Sequence, residues 1–292
     1  MWSLALMFVL AVKEKYCMPE ILTYSFFQNA LLASFFISIA CAIMGSLAMA
    51  NKLLPMAGGI THGAFGGIGL AFYFSLPVFL STVSFTIILA LVLAYLSLKY
   101  PHRSDNFVAV IWTFGMALGL ILIDLSPSYQ NDLFAYLFGS ILTISFDDIY
   151  ALIFADILFI LFVSLFYRQL IAISFDIEFA NLKGVNTNLF YYTLLCLISL
   201  CIVLCMSCVG LILIIALLSI PSFIAEKFTK SLAATIFLAF ILSFVFCLSG
   251  IFISYYLNLS SSASIIAVAC LGFFISLLLK SLINFSHKQS GY

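Results

Sequence analysis

Long apolar stretches with almost no charge follow one another along most of this chain, separated by short polar connections. Hydrophobic residues make up 65% of its 292 residues and charged residues only 8%, whereas a soluble domain is typically about one quarter charged. A membrane-spanning helix needs about 20 predominantly apolar residues. The sequence therefore predicts an all-α polytopic membrane protein with eight or nine transmembrane helices and no sizeable soluble domain.

The polar connections divide the chain into three regions. Residues 1–23 are predicted to be an N-terminal extension or interfacial segment, residues 24–280 a transmembrane domain, and residues 281–292 a cytoplasmic tail. The segment 134–142 is apolar but too short to span, and it is predicted to re-enter or cap the membrane. The nine predicted spans are approximately Tyr24–Ala50, Leu54–Phe74, Pro77–Leu98, Phe107–Ile123, Ile149–Phe166, Leu189–Met206, Val209–Ala225, Leu232–Leu257 and Ala263–Leu279.

The positions of lysine and arginine predict the orientation, because these residues are retained in cytoplasmic loops. If the loop at Lys52 lies inside, alternation also places inside Lys99, Arg103, Arg168, Lys183, Lys227, Lys230, Lys280 and Lys288. The outer connections then collect Asp124, Asp132, Asp147 and Asp148, which either attract cations by their field or are ordinary solvated charges. This asymmetry is consistent with nine spans of a multi-pass membrane protein.

Several function classes are disfavoured by what the sequence lacks. It contains no Walker A motif, no GxSxG and no HExxH, so it is not predicted to be an enzyme, and any energy source must lie outside this chain. Its formal net charge is zero without a basic run, which argues against nucleic acid as a partner. Cys201, Cys205 and Cys208 are spaced along one helical face, and small apolar packing is preferred there over a soft-metal stripe.

The glycine-rich stretch Leu54–Phe74 combines close packing with an ionisable side chain. Gly59, Gly63 and Gly67 recur every fourth residue, which gives a helix a flat stripe against which a second helix can pack in a membrane. His62 lies in the same stretch, and ionisable groups inside membranes are costly and usually functional. Because imidazole suits zinc, His62 is predicted to line the path of a transported metal. The alternative is a histidine that is hydrogen-bonded within the bundle.

Asp156 lies in the middle of the fifth predicted span, where a carboxylate costs about 2.5–3.5 kcal/mol on insertion scales. It belongs either to the metal path or to a structural contact with a polar partner. A channel or an ion-gradient-driven secondary transporter, with Asp156 as its proton or ion site, is the competing function.

The segment SFDIEFANLKGVN, Ser174–Asn186, has the pattern of a short cytoplasmic helix. Ser174 is predicted to be its N-cap and Gly184 its C′ residue. Two faces follow from the helical spacing. Phe175, Phe179 and Leu182 are expected to rest on the membrane domain, whereas Asp176, Ala180 and Lys183 are expected to face the cytoplasm. The segment is either an interfacial linker or a coupling helix that docks on a cytoplasmic partner.

Four segments resemble, in order, the membrane permease subunits of the zinc/manganese/iron ABC importers. They are ITHGAFGGIGLAF, DLFAYLFGSILTIS, SFDIEFANLKGVN and VGLILIIALLSIPSFIAEKFTKS. The resemblance covers about Phe26 to Lys280. It implies a type II ABC importer-like permease that imports a divalent metal ion, zinc first and manganese or iron second. It also implies a homodimer or a pair of similar permeases.

The resemblance further implies two ABC ATPase subunits, which hold the ATP, and an extracytoplasmic metal-binding protein that delivers the ion. The metal is then a transported ion, and no stably bound cofactor is expected. The segment from Ser174 to Asn186 becomes the coupling helix, with ATPase-coupling residues Asp176, Glu178, Ala180, Lys183 and Gly184.

The chain departs from the family pattern beside the predicted metal ligand. The family carries an acidic residue four positions before the histidine, and here that position is Gly58. Half of a carboxylate–imidazole pair on one helical face is therefore missing. Either two His62 residues meet across a dimer interface, or another side chain supplies the contact, or this member selects its ion differently.

Overall fold

The computed structural model describes residues 24–126, 139 and 141–289, with side chains described as far as residue 281. Two 3-10 turns, Pro101–Arg103 and Ile141–Thr143, accompany ten α-helices in this part of the chain. The α-helices are α1 Ser25–Ala50, α2 Leu54–Phe74, α3 Val78–Lys99, α4 Ser104–Asp124, α5 Phe146–Phe175, α6 Ile177–Leu182, α7 Thr187–Val209, α8 Leu211–Phe228, α9 Leu232–Leu257 and α10 Ser261–Gln289.

The polytopic all-α fold predicted from the sequence is confirmed. Eight helices of the described region are long and apolar enough to cross a membrane, and α2, with 21 residues, is a ninth long helix diluted by glycine. Helix α10 continues to Gln289, into the segment predicted as a cytoplasmic tail. The N-terminal extension and most of the predicted re-entrant segment lie outside the described residues.

Local sequence determines where several helices begin and end. Pro55 lies in the first turn of α2, where the absence of an N–H costs no helical hydrogen bond. At the start of α5, the Ser145 hydroxyl accepts a hydrogen bond from the Asp148 backbone N–H while the Asp148 carboxylate accepts one from the Ser145 N–H, forming a capping box. Gly210 separates α7 from α8 with φ of 85°, a conformation that favours glycine.

Helices α1 and α7 form the centre of the bundle. In their most apolar 18-residue windows, 72% and 67% of residues are buried, compared with 28% in the spans that contain α4 and α5. Helix α1 packs against α5, α7, α8 and α9, and α7 also packs against α3. The outer faces of α4 and α5 are therefore available to lipid or to another subunit.

Helix α2 is held between α3 and α4 at distances that only glycine allows. A Cβ atom on Gly67 would lie 2.7 Å from the Cα of Thr82 in α3, and one on Gly69 would lie 2.6 Å from the Gly119 carbonyl oxygen in α4. Gly59 lies against Val108 of α4 and Gly63 against Leu89 of α3. In a membrane, where apolar side chains gain little by leaving lipid, close backbone contact of this kind stabilises helix association. These contacts fix the position of α2 relative to α3 and α4.

We expect Gly119→Ala to lower the free energy of unfolding by about 1–3 kcal/mol, because overpacking a close contact forces backbones apart. The added Cβ would lie 2.6 Å from the carbonyl carbon of Phe65. Gly58→Ala is the matched control, since nothing lies within 4 Å of its added Cβ. Thermal unfolding of the two variants in detergent measures the difference. Equal melting temperatures would contradict the packing argument.

Candidate functional site

His62 projects from α2 toward α4 and stacks on an aromatic side chain. The imidazole and the Trp112 indole lie parallel, with ring centroids 4.0 Å apart and an interplanar angle of 4°. The Trp112 Nε1–H donates to the Met116 sulfur at 3.2 Å, which orients the indole. The sequence analysis missed Trp112, because the contact joins residues 50 positions apart and no local pattern connects them.

The surroundings of His62 leave one ring nitrogen available. The His62 Nδ1 is buried and has no hydrogen-bond partner among the described residues. The alternative of a histidine satisfied within the bundle is therefore not what the structure describes at this atom. One turn earlier, the space around Gly58 is open. An imidazole nitrogen without a hydrogen-bond partner can bind a metal ion, and Gly58 lies one turn earlier on the same helical face.

Asp156 lies on α5, in a different part of the bundle from His62. Its side chain is only 3% exposed, and both carboxylate oxygens lack a hydrogen-bond partner among the described residues. It interacts electrostatically with Cys205 and Cys201 of α7. Because neither the Asp156 oxygens nor the His62 Nδ1 has a hydrogen-bond partner among the described residues, these groups are not hydrogen-bonded to each other within one chain.

Two thiols near this carboxylate, those of Cys201 and Cys205, belong to a cluster of three. The thiols of Cys41, Cys201 and Cys205, contributed by α1 and α7, are close enough to interact, and all three are fully buried. The sequence analysis missed Cys41, which lies far from the others along the chain. In the described part of the chain, no group of three or more His, Cys, Asp or Glu side chains is arranged to hold a metal ion. The packing interpretation of these cysteines agrees with their burial.

The structure contradicts the predicted faces of the short helix α6 at Ala180 and at its apolar residues, whereas Asp176 and Lys183 are exposed as predicted. Ala180 is fully buried, whereas Phe175 is 84% and Leu182 87% exposed. Helix α6 packs against α5 and α7, and Ala180 occupies the contact because only its small side chain fits there. The assignment of Ala180 to the cytoplasmic face and of Phe175, Phe179 and Leu182 to the membrane face was therefore wrong.

The ends of α6 are held by local hydrogen bonds. Asp176, not the predicted Ser174, is the N-cap, and its carboxylate accepts from the Phe179 backbone N–H at 3.0 Å. Ser174 belongs to the last turn of α5. Gly184 has φ of 80°, and the N–H of Val185 donates to the Ala180 carbonyl, as in a Schellman motif. Hydrogen bonds at both ends therefore fix where this short helix begins and ends.

The exposed side of α6 forms an apolar surface with charged neighbours. Phe175, Ile177, Phe179 and Leu182, together called the docking surface, are each at least half exposed. Asp176, Glu178, Lys183 and Gly184 are exposed beside it. A cavity of about 440 Å³ adjoins the surface, lined partly by Lys52, Asp176 and Glu178. Exposed apolar patches rimmed by polar residues are typical of protein–protein contact sites.

The outer acidic residues do not form one group in the described region. Asp148 is engaged in the capping box of α5, where its Oδ2 also accepts from the Ser145 hydroxyl at 2.7 Å. Asp147 lies in the first turn of the same helix, Asp124 ends α4, and Asp132 lies outside the described residues. Helix capping therefore accounts for Asp148 without a role in attracting cations.

Comparison with known proteins gives consistent matches over nearly the whole chain. Residues 23–280 match the ABC 3 transport family. The chain is 40% identical to an uncharacterized membrane protein of Synechocystis, covering 89% of this chain and 92% of that protein. It is 31% identical to the manganese transport system membrane protein MntC of Listeria monocytogenes, with coverages of 92% and 96%. A chain of PsaBC from Streptococcus pneumoniae, solved in complex with Fab, superposes with a TM-score of 0.79 at 30% identity, with coverages of 89% and 93%.

Proposed function

This chain belongs to the ABC 3 transport family, and from that premise we propose that it is the membrane-spanning permease of an ATP-driven importer of manganese. It is a multi-pass protein of the bacterial inner membrane, and ATP is hydrolysed by a separate subunit. The observation that carries the proposal is the combination of a histidine in the helix bundle, whose buried Nδ1 has no hydrogen-bond partner among the described residues, with an exposed apolar surface on α6.

Manganese takes the place that the sequence analysis gave to zinc. The Listeria relative carries manganese in its name, and manganese is the weakest binder among the first-row divalent metals. Transport requires an ion to be bound loosely enough to leave. A single imidazole per chain, without a thiolate beside it, suits such a weakly bound ion. Zinc and iron remain the competitors to be measured.

We place His62 on the ion path and propose that a homodimer brings two such histidines to a shared pathway. The open space at Gly58 agrees with a contact supplied by a second chain. An extracytoplasmic metal-binding protein delivers the ion in this scheme. The ATPase subunit binds the docking surface from the cytoplasm, and the charges of Asp176, Glu178 and Lys183 orient the bound subunit.

The proposed function is tested by uptake into liposomes that contain the permease, its ATPase and its binding protein. We expect ATP-dependent accumulation of radioactive manganese, with zinc and iron competing less well than unlabelled manganese. The permease alone should accumulate none. Accumulation by the permease alone, driven by a proton gradient without ATP, would instead establish the secondary transporter. Stronger competition by zinc than by unlabelled manganese would identify zinc as the preferred substrate.

Asp156 enters the proposal as a second polar group that an ion meets when the helices move. We expect Asp156→Leu to raise the free energy of unfolding by about 1–3 kcal/mol, because it removes a buried polar group that has no partner. We also expect it to lower ATP-dependent manganese uptake, since destabilising groups are retained where function needs them. Melting temperature and uptake are measured on the same preparation.

Asp156→Asn is the control for this pair of measurements, since it keeps the shape and removes the charge. If Asp156→Leu stabilises the protein and leaves uptake unchanged, Asp156 has only a structural role. An uptake loss with Asp156→Leu that Asp156→Asn does not share would assign the effect to packing and not to the charge.

A further inference from the structure

A cleft runs along α1, α5 and α9 on the outer surface of the bundle, and we call it the lateral cleft. Its apolar part has a volume of about 480 Å³, within the range of about 300–1,000 Å³ that ligand pockets occupy. The walls include Phe35 and Ile39 of α1, Ile160 and Tyr167 of α5, and Phe237 and Phe240 of α9.

Beyond its apolar part, the lateral cleft continues into a cavity of about 240 Å³ between the same three helices. Ser46 of α1, Ser174 of α5 and Thr235 of α9 line this second part, which we call the polar part, beside apolar neighbours such as Ile171 and Leu232. Each of the three helices therefore contributes a hydroxyl group to this end of the cleft. The cleft therefore suits an amphiphile, with the apolar chain in the apolar part and the headgroup beside the charged and hydroxyl groups.

The length of the apolar part fits one membrane leaflet. On α1 it extends from Phe35 to Ile43, and eight residues at a rise of about 1.5 Å span roughly 12 Å. Half of a hydrocarbon core of about 30 Å is roughly 15 Å. The apolar walls therefore match the depth of the inner leaflet, and acyl chains are the medium that surrounds them there.

The polar part carries one charge of each sign. Lys230 and Glu226 both line it, and both are exposed. The N-terminus of the 26-residue helix α9 opens beside Lys230, and the positive end of a helix dipole favours an anion there. A phosphate group fits Lys230 and this helix end, while a primary ammonium group fits Glu226.

A buried hydroxyl points to a missing ligand at the same place. Ser46 lines the polar part, is only 2% exposed, and its hydroxyl has no hydrogen-bond partner among the described residues. Buried polar groups are normally hydrogen-bonded. A headgroup seated in the polar part would supply that partner.

We propose that the lateral cleft binds a phospholipid of the inner leaflet whose headgroup carries both a phosphate and a primary amine, as in phosphatidylethanolamine. One acyl chain lies along the apolar walls, the phosphate contacts Lys230 and the N-terminus of α9, and the ammonium contacts Glu226. A purely anionic headgroup would leave Glu226 facing a negative charge, so the paired charges select the zwitterionic amine lipid.

The proposal is tested by native mass spectrometry of the full-length chain, purified in detergent and titrated with phosphatidylethanolamine or phosphatidylglycerol. We expect the unmodified chain to prefer phosphatidylethanolamine by about tenfold, the factor that corresponds to one charge-assisted contact. Glu226→Gln should remove this preference, whereas Lys230→Gln should weaken the binding of both lipids. Lys99→Gln, which changes an exposed lysine outside the cleft, should change neither.

A second pair of variants tests the position of the acyl chain. Ala233 lines the apolar part, so Ala233→Trp should block it and reduce binding of both lipids at least tenfold. Ala117→Trp is the control, since Ala117 is an exposed alanine of α4 outside the cleft. Equal binding of both lipids by the unmodified chain, or unchanged binding by Ala233→Trp, would overturn the proposal. A cross-link between two chains through Phe237→Cys would identify a second copy as the occupant instead.

Discussion

Replacing Leu182 with aspartate is expected to abolish ATP-dependent uptake and to release the ATPase subunit from the permease. Leu182 is the last residue of α6, and at 87% exposed it is the most exposed residue of the docking surface. Central apolar anchors cost at least about 2 kcal/mol when they are lost from an interface, which is roughly 30-fold in affinity. A buried carboxylate without a partner adds a further penalty. Co-purification and permease-stimulated ATP hydrolysis measure the loss.

Two further variants separate docking from folding. Leu182→Met keeps an apolar side chain of similar volume and should retain the ATPase. Ala180→Trp, in contrast, should lower the melting temperature of the permease, because Ala180 is fully buried on the inner side of α6. If Leu182→Asp still binds and stimulates the ATPase, the exposed side of α6 is not the docking surface.

His62→Ala is expected to reduce manganese uptake at least tenfold while leaving assembly with the ATPase intact. Even outer-shell partners of metal ligands change metal affinity or activity by about 10–100-fold, and His62 is proposed to contact the ion directly. His102→Ala is the matched control, since His102 is exposed in the short turn before α4. Initial uptake rates in liposomes, at several manganese concentrations, measure both variants.

Gly58→Asp tests the same site by adding a carboxylate next to His62. The position has nothing within 4 Å of an added Cβ, so a carboxylate fits one turn before His62 on the same helical face. We expect tighter manganese binding, seen as a lower KM for uptake. Uptake that is normal in His62→Ala and unaffected in Gly58→Asp would remove this helix face from the ion path.

Much of the fold follows from patterns that lie within single segments. The length of each apolar stretch identifies a spanning helix, and the alternation of loop charges orients it. Gly184 at the end of α6 was predicted as a C′ residue and has φ of 80°, because only local chain geometry is involved. The predicted Ser174 cap failed by two residues, since Asp176 offers an equally good acceptor and α5 continues to Phe175.

Which residues meet across the bundle is not encoded in any single segment. Trp112 stacks on His62, and Cys41 reaches the thiols of α7, both through contacts between helices distant along the chain. The amphipathic spacing of α6 gave two possible orientations with equal periodicity. Packing chose between them, because Ala180 fits against α5 and α7 and Leu182 does not.

By itself, then, the sequence determined that the chain is a bundle of membrane helices with a short helix between the fifth and sixth predicted spans, because hydropathy and capping act within a few residues. Only the tertiary structure decided which side of that helix faces outward and what surrounds each buried polar group. Those outcomes depend on side-chain volume at contacts between separate helices, which periodicity does not report.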